Sequence, residues 1–168
     1  MLKQYNYTFN SDSGYYSFFT KRQIEYRIAF YEDFMLASCV SDHLKLGNIY
    51  QITIDKISAQ PAPFDVLVSQ TIKNIITAFF ESVQDALIYI CDDNDKKAFQ
   101  RFSTFDRWYN KSSMTSYITK LNNIIEFNSD NETIKLYTSL MFHKKNANIK
   151  NIEEAFNNIS NTLNGEKP

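Results

Sequence analysis

Carboxylates, two arginines and the single tryptophan of the chain fall within one short stretch, "YICDDNDKKAFQRFSTFDRWY", which runs from residue 89 to residue 109. Carboxylates at the end of a strand can bind a metal ion, and an arginine beside an aromatic ring can receive an anion. On these grounds the candidate ligand-binding residues are Asp92, Asp93, Arg101 and Trp108.

The spacing of this acidic cluster does not fit a calcium loop. An EF-hand needs oxygen ligands at alternate positions and then a glycine, but a lysine falls at the third ligand position in either frame, and Ala98 stands where the glycine belongs. Magnesium needs only one or two carboxylates, so Asp92 or Asp93 remains open to it. The favoured alternative is that Asp92, Asp93, Asn94 or Asp95 caps the helix that follows. We therefore expect no bound metal and no cofactor.

Histidines and cysteines give no catalytic or zinc-binding pattern. His43 and His143 are far apart, and neither has a His, Cys or Glu partner three or four residues away. Cys39 and Cys91 lie in apolar runs, which favours a place in the core over a role as nucleophile. The sequence thus predicts no catalytic residue.

One basic patch, "HKKNANIK", contains Lys144, Lys145 and Lys150. These lysines could contact phosphate, although a solvated loop is the favoured interpretation. Because the net charge of the chain is −1, no global field attracts nucleic acid, and nucleic-acid binding is not expected.

The first third of the chain has the two-residue period of half-buried β-strands. Strands are predicted at Tyr5–Phe9, Tyr15–Thr20 and Ile24–Phe30, in the apolar run Phe34–Val40, and in "NIYQITIDKI". The first two flank "NSDSG", a run of turn residues, so they should form a hairpin. These segments predict an antiparallel meander of four or five strands.

The period then becomes helical. A helix should start close to Pro63 and carry an apolar stripe from Phe64 to Val83. The run Leu87–Cys91 predicts a central strand, since it is continuously apolar. A second helix, a hairpin around "NSDNE" and a closing amphipathic helix from Ile149 to Leu163 follow. We expect an α+β fold in a single domain, residues 1–168, with a disordered tail at 164–168.

The length and amino-acid composition of the chain limit the classes of protein to which it can belong. At 168 residues the chain is long enough to bury a core without disulfides or metals. No apolar stretch approaches the roughly 20 residues that span a bilayer, so no membrane association is expected. With two cysteines in apolar runs and no leader before the first strand, we expect a cytoplasmic protein.

The predicted order of elements is similar to the core of the GCN5-related acyltransferase fold, over Gln23 to Phe142. In that superfamily the segment matching "LIYICDDNDKKAFQRF" lies beside the acyl-CoA cleft, with an Asn, an Ala and then a Tyr that acts as general acid. Asn94 and Ala98 match the first two, but Phe102 stands third and cannot donate a proton. The loop "SAQPAPFD" lacks the pyrophosphate-binding glycine. The resemblance implies an acyltransferase-like scaffold without its usual general acid or coenzyme A loop.

Three segments carry a second resemblance: "FDVLVSQTIKNIITAFF", "LIYICDDNDKKAFQRFSTFDRWY" and "KLYTSLMFHKKN". Together they resemble a domain-of-unknown-function family of small Bacteroidota proteins, over nearly the full chain. This resemblance implies one domain and no particular activity. The aromatic content of 15% and the lack of a catalytic set favour a non-catalytic interaction or ligand-binding module with a protein partner. The alternative is a divergent enzyme on an acyltransferase-like scaffold.

Overall fold

The computed structural model of the protein describes residues 4–33, 39, 46, 48–92, 95–129 and 132–163. Within these residues, seven strands form: β1 (Tyr7–Asn10), β2 (Tyr15–Phe19), β3 (Glu25–Glu32), β4 (Ile49–Lys56), β5 (Ala86–Asp92), β6 (Ile118–Ser129) and β7 (Glu132–His143). The same part of the chain forms three α-helices: α1 (Val66–Phe79), α2 (Ala98–Asn110) and α3 (Ile149–Leu163). This composition and order confirm the predicted α+β fold class.

Two compact units divide the chain. The first comprises Met1–Tyr31 and Ile52–Glu81, and the second comprises Glu32–Gln51 and Ser82–Pro168. Strand β4 therefore contributes residues to both units. The single domain stays a prediction. The predicted tail 164–168 lies outside the described residues, as does the predicted strand Phe34–Val40 except for Cys39.

In the first unit the strand order is β1-β2-β3-β4. The predicted hairpin is confirmed, since β1 and β2 pair antiparallel from Tyr7 opposite Phe18 to Asn10 opposite Tyr15. In the turn, the Asn10 side-chain oxygen accepts hydrogen bonds from the backbone N–H groups of Asp12 (2.9 Å) and Ser13 (3.0 Å). Gly14 closes the turn at φ +71°, a conformation that favours glycine.

Helix α1 begins at Val66, three residues later than the predicted start at Pro63. The N-cap is Asp65, whose carboxylate accepts a hydrogen bond from the backbone N–H of Leu67 at 2.9 Å. An aspartate cap fixes the helix start better than the proline does, and this leaves Phe64 outside the helix and 92% exposed. The predicted apolar stripe was therefore too long at its start, and its buried part comprises Ile72, Ile75 and Ile76, with Thr71 beside them.

In the second unit β5 lies between β4 and β7, which confirms that Leu87–Cys91 belongs to a central strand. Strand β5 runs parallel to β4 and antiparallel to β7. Helix α3 covers one face of β5, because its buried residues share a core with Ile88. Helix α2 lies on the other face, since Phe105 stacks on the neighbouring Tyr89 at 4.1 Å and successive strand residues point to opposite faces.

The predicted C-terminal hairpin is confirmed and is longer than the sequence indicated. Strands β6 and β7 pair without a break from Ile118 opposite His143 to Ser129 opposite Glu132. A 3-10 turn at Ser113–Ser116 precedes β6. The hairpin places polar side chains of both strands beneath α2.

Candidate functional site

The acidic stretch that follows β5 is only partly described. Asp93 and Asn94 lie outside the described residues, and only the backbone of Asp92 is described. The prediction that one of the residues 92–95 caps α2 is wrong. The N-cap residue is Lys97, whose side chain makes no cap hydrogen bond. Asp95 instead accepts a hydrogen bond from the backbone N–H of Lys97 at 3.1 Å, which fixes the turn before the helix.

Arg101 and Trp108 both lie on α2. Arg101 donates to Asp95 at 2.7 Å, and its guanidinium holds the pKa of that carboxyl below its ordinary value. Trp108 packs against Phe105, with ring centroids 5.3 Å apart. The structure thus gives Arg101 and Trp108 partners within the chain, and the ligand site formed by Asp92, Asp93, Arg101 and Trp108 stays a prediction.

The three lysines of the basic patch differ in their contacts. Lys144 donates to the backbone carbonyls of Thr115 (2.9 Å) and Ser116 (3.2 Å), so it holds the 3-10 turn in place. Lys145 and Lys150 are exposed. The absence of nucleic-acid binding stays a prediction.

A polar cluster, not predicted from the sequence, lies between α2 and the sheet of the second unit. Its centre is Lys120 of β6, whose side chain is 2% exposed. The ammonium group contacts the carboxylate of Asp106 on α2 and the side-chain oxygen of Asn122 on β6. It also lies 3.0 Å from the hydroxyl of Ser139 on β7. Three acceptors therefore surround an ammonium group that has three N–H donors.

Burial and pairing act in opposite directions on the two charges of this cluster. Burial lowers the pKa of Lys120, although its hydrogen bond with Asp106 works against this. Burial would raise the pKa of Asp106, but hydrogen bonds from Lys120 and Asn122 outweigh it and the pKa falls below its ordinary value. The Tyr89 and Phe102 ring centroids lie 5.5 Å and 5.4 Å from the ammonium nitrogen, which adds cation–π attraction.

Tyr89 completes the cluster from β5. Its hydroxyl is buried and makes no hydrogen bond with the residues that the structure describes. The neighbouring Ser139 hydroxyl lowers the pKa of Tyr89, against the larger effect of burial. Burial raises the pKa of Tyr89 well above its ordinary value, so the phenol stays protonated. Because the Lys120 ammonium is already surrounded by acceptors, the cluster is suited to joining α2 to the sheet rather than to nucleophilic attack.

This cluster has little signal in the sequence. Lys120 and Asn122 alternate with Leu121, which is the pattern of a strand with one solvated face. Only the position of α2 over that face buries the lysine. The one available signal was the hydrophobic face of α2, which had to pack on something.

A groove of about 490 Å³ lies in the first unit, beside the start of α1. Side chains of Tyr5, Tyr26 and Leu67 contribute to its lining, as do Lys21 and Arg22 from the turn between β2 and β3. Tyr5 and Tyr26 each stack nearly parallel on Phe18, with ring centroids 5.9 Å and 5.3 Å away. The walls of the groove therefore include two aromatic rings of one stack. The groove thus combines aromatic walls with cationic side chains.

Among the described residues that line the groove, Asp65 is the only carboxylate, and it already accepts hydrogen bonds. It accepts a hydrogen bond from the Tyr5 hydroxyl at 2.6 Å, which is the main cause of its lowered pKa, and another from the backbone of α1. Lys21 and Arg22 are both exposed, and neither side chain forms an ion pair with a described residue. The charge of Lys21 contributes to the lowered pKa of Asp65, but because no ion pair forms, both cations can still pair with a ligand.

The turn that presents these cations is held by Thr20. Its side-chain oxygen accepts hydrogen bonds from the backbone N–H groups of Arg22 (3.3 Å) and Ile24 (3.1 Å). Gln23 takes φ +59°, a left-handed conformation that is costly for a residue with a side chain. The sequence signal for this site was "TKRQ", two adjacent cations between strand-like segments, and neither cation belongs to the predicted site.

A second groove of about 320 Å³ in the first unit contains Arg27. There the guanidinium already pairs with Glu25 at 2.7 Å and lies 4.8 Å from the Tyr15 ring centroid. The cation of this groove is thus used within the chain, which separates it from the groove beside α1. Among the described residues, no group of three or more His, Cys, Asp or Glu side chains is arranged to hold a metal ion.

Comparison with known proteins places the chain in a family. The residues 65–158, more than half of the chain, match the family of unknown function DUF6169. The protein belongs to this family, and the origin in Bacteroidota that the resemblance implied stays a prediction. The matched residues include α1 and the Lys120 cluster but not Lys21 and Arg22. No protein with a curated description matches the sequence.

Among solved structures, the chain is similar to a CoA-dependent acyl-homoserine lactone synthase, MesI. The TM-score is 0.38 and the sequence identity is 6%, with 94% of this chain and 72% of MesI covered. A likeness at this level is too low to carry over a fold or an activity. None of the helices in the described ranges combines the length and apolar character that crossing a bilayer requires.

Proposed function

We propose that the protein is a non-catalytic binding module, that its site is the groove beside α1, and that its partner is a protein. The observation that carries this proposal is the pair of cations, Lys21 and Arg22, beside aromatic walls and without an ion-pair partner among the described residues. Phe64, 92% exposed at the edge of the same groove, adds the kind of aromatic side chain that anchors protein interfaces. Cys39 and Cys91 are both buried and are not joined by a disulfide, which supports the cytoplasmic location that we also propose.

Site-specific photo-crosslinking tests the location of the site. A benzophenone amino acid replaces Phe64 in one variant and Phe99 of α2, which is 61% exposed, in the matched control. We expect a partner to be captured from position 64 and not from position 99, and to bind the purified wild-type chain with 1:1 stoichiometry. Equal capture from both positions, or loss of the interaction on purification, would contradict the proposal.

A divergent enzyme is the second candidate function. The buried hydroxyl of Tyr89, which makes no hydrogen bond with a described residue, favours it, because unpaired polar groups are often found at functional sites. Thermal-shift screening against acyl-CoAs, nucleotides and divalent metals separates the two candidates. A shift of several degrees with one of these classes, abolished in Tyr89→Phe but retained in Phe64→Ala, would support the enzyme and count against the groove.

A further inference from the structure

We infer that the groove beside α1 recognises an acidic peptide segment that carries an apolar anchor residue. This inference rests on the proposed function and adds the chemistry of the partner. It depends on three features of the groove: its charge, its exposed apolar edge and its shape.

Charge complementarity selects an acidic partner. Lys21 and Arg22 are adjacent and exposed, and neither forms an ion pair with a described residue. Asp65 cannot cancel both cations, and its carboxylate is already hydrogen-bonded to the Tyr5 hydroxyl and to the start of α1. A segment with two carboxylates could therefore pair with both cations, and the guanidinium of Arg22 can bind a carboxylate through two parallel hydrogen bonds.

The apolar edge selects an anchor residue. Phe64 and Val66 are 92% and 62% exposed, and both line the groove. An exposed phenylalanine followed two residues later by an exposed valine gives an apolar rim to a groove whose walls are the Tyr5 and Tyr26 rings. A few side chains buried in well-packed pockets, aromatic ones above all, supply most of the binding energy in protein interfaces.

The shape favours a peptide over a small anion. The groove of about 490 Å³ is large enough for a side chain of a bound segment, and its lining includes both the cations and Phe64. A small anion could neutralise Lys21 and Arg22 without covering Phe64. A flexible chain can place carboxylates on the cations and an apolar side chain against Phe64 at the same time.

Fluorescence anisotropy with labelled 12-residue peptides tests this inference on the full chain. The probes are a set of acidic peptides with one Phe, Leu or Trp, the same sequences with lysine in place of each acidic residue, and acidic peptides without the anchor. We expect binding by acidic, anchored peptides only, weakening several-fold as salt rises from about 50 to 300 mM. Lys21→Glu/Arg22→Glu and Phe64→Ala should each weaken binding by at least about tenfold.

Matched controls keep the test specific. Lys96→Glu/Lys97→Glu reverses another adjacent and exposed pair of cations, and Phe99→Ala removes another exposed phenylalanine, so both should bind as the wild type does. Binding that ignores peptide charge, equal losses in the controls, or no acidic peptide bound below about 1 mM would overturn the inference. Tighter binding to an RNA oligonucleotide or to anionic lipid vesicles would also overturn it. If a partner is crosslinked at position 64 but Lys21→Glu/Arg22→Glu binds it normally, the inference fails and the proposed function stands.

Discussion

Removing either partner of the buried Lys120–Asp106 pair should have unequal consequences for stability. Asp106→Asn removes the countercharge and leaves an ammonium group on a side chain that is 2% exposed, with neutral acceptors only. Breaking a buried ion pair in this way costs about 3 kcal/mol, near the lower end of the usual range, because Asp106 itself is 33% exposed. The expected result is a large fall in the free energy of unfolding.

Lys120→Met should cost much less, about 1 kcal/mol or below, because the charge that remains is the partly solvated one. The Asp106 carboxylate keeps its hydrogen bonds from the side chain of Asn122, at 3.0 and 3.3 Å. A methionine side chain can also pack between the rings of Tyr89 and Phe102, where the lysine lay. The double variant Lys120→Met/Asp106→Asn should therefore be more stable than Asp106→Asn alone, by about 2 kcal/mol.

Urea denaturation followed by far-ultraviolet circular dichroism at pH 7 measures these differences, provided that the m-value is unchanged. Lys135→Met is the matched control, because Lys135 of β7 and Glu126 of β6 form an exposed ion pair in the same hairpin, and it should change stability by about 0.5 kcal/mol or less. Equal losses in Lys120→Met and Asp106→Asn would refute the reasoning. So would a double variant no more stable than Asp106→Asn.

Three further predictions concern the first unit and acid stability. Gln23→Gly should raise the free energy of unfolding by about 0.5 kcal/mol in thermal or urea unfolding, because φ +59° suits glycine, whereas Gln23→Ala should give no gain. Asp65→Ala should cost about 1–2 kcal/mol, since it removes the α1 cap and the acceptor of the Tyr5 hydroxyl; no loss would mean that another group caps the helix. The folded-state pKa values of Asp65 and Asp106 lie below their unfolded values, so both groups stabilise the fold above about pH 4, and this stabilisation is lost as pH falls through the folded pKa. Asp65→Asn should therefore flatten the fall in the urea midpoint below about pH 4, and a curve parallel to that of the wild type would contradict the assignment.

Periodicity predicted most of the elements, because each described strand and helix carries its own local pattern. The central strand at Leu87–Cys91 and the closing helix from Ile149 were read from continuous and helical apolar spacing, and both are present. The start of α1 was misplaced because a proline is only permissive at a helix start, whereas Asp65 supplies a hydrogen-bond acceptor to Leu67.

The binding groove and the lysine cluster could not be predicted in the same way. Lys21 and Asp65 meet at one groove although 44 positions separate them, and Lys120 becomes buried only because α2 covers its strand. Both features depend on contacts between distant segments, for which a single sequence carries no signal. Arg101 and Trp108 were predicted as site residues because of their residue types. In the structure their side chains contact Asp95 and Phe105.

The division of β4 between the two units has a consequence for folding during synthesis. All segments of the first unit have been synthesised once residue 81 is added. Ile49 of the second unit can pair only after Ala86 has been synthesised, and it can pack in its core only after α3 has been synthesised. Because chains are made from the N-terminus, the first unit can acquire its structure while the second is still incomplete. A fragment that begins at residue 82 would lack the β4 residues that pair with β5, so the edge of β5 would be left unpaired and prone to association with other chains.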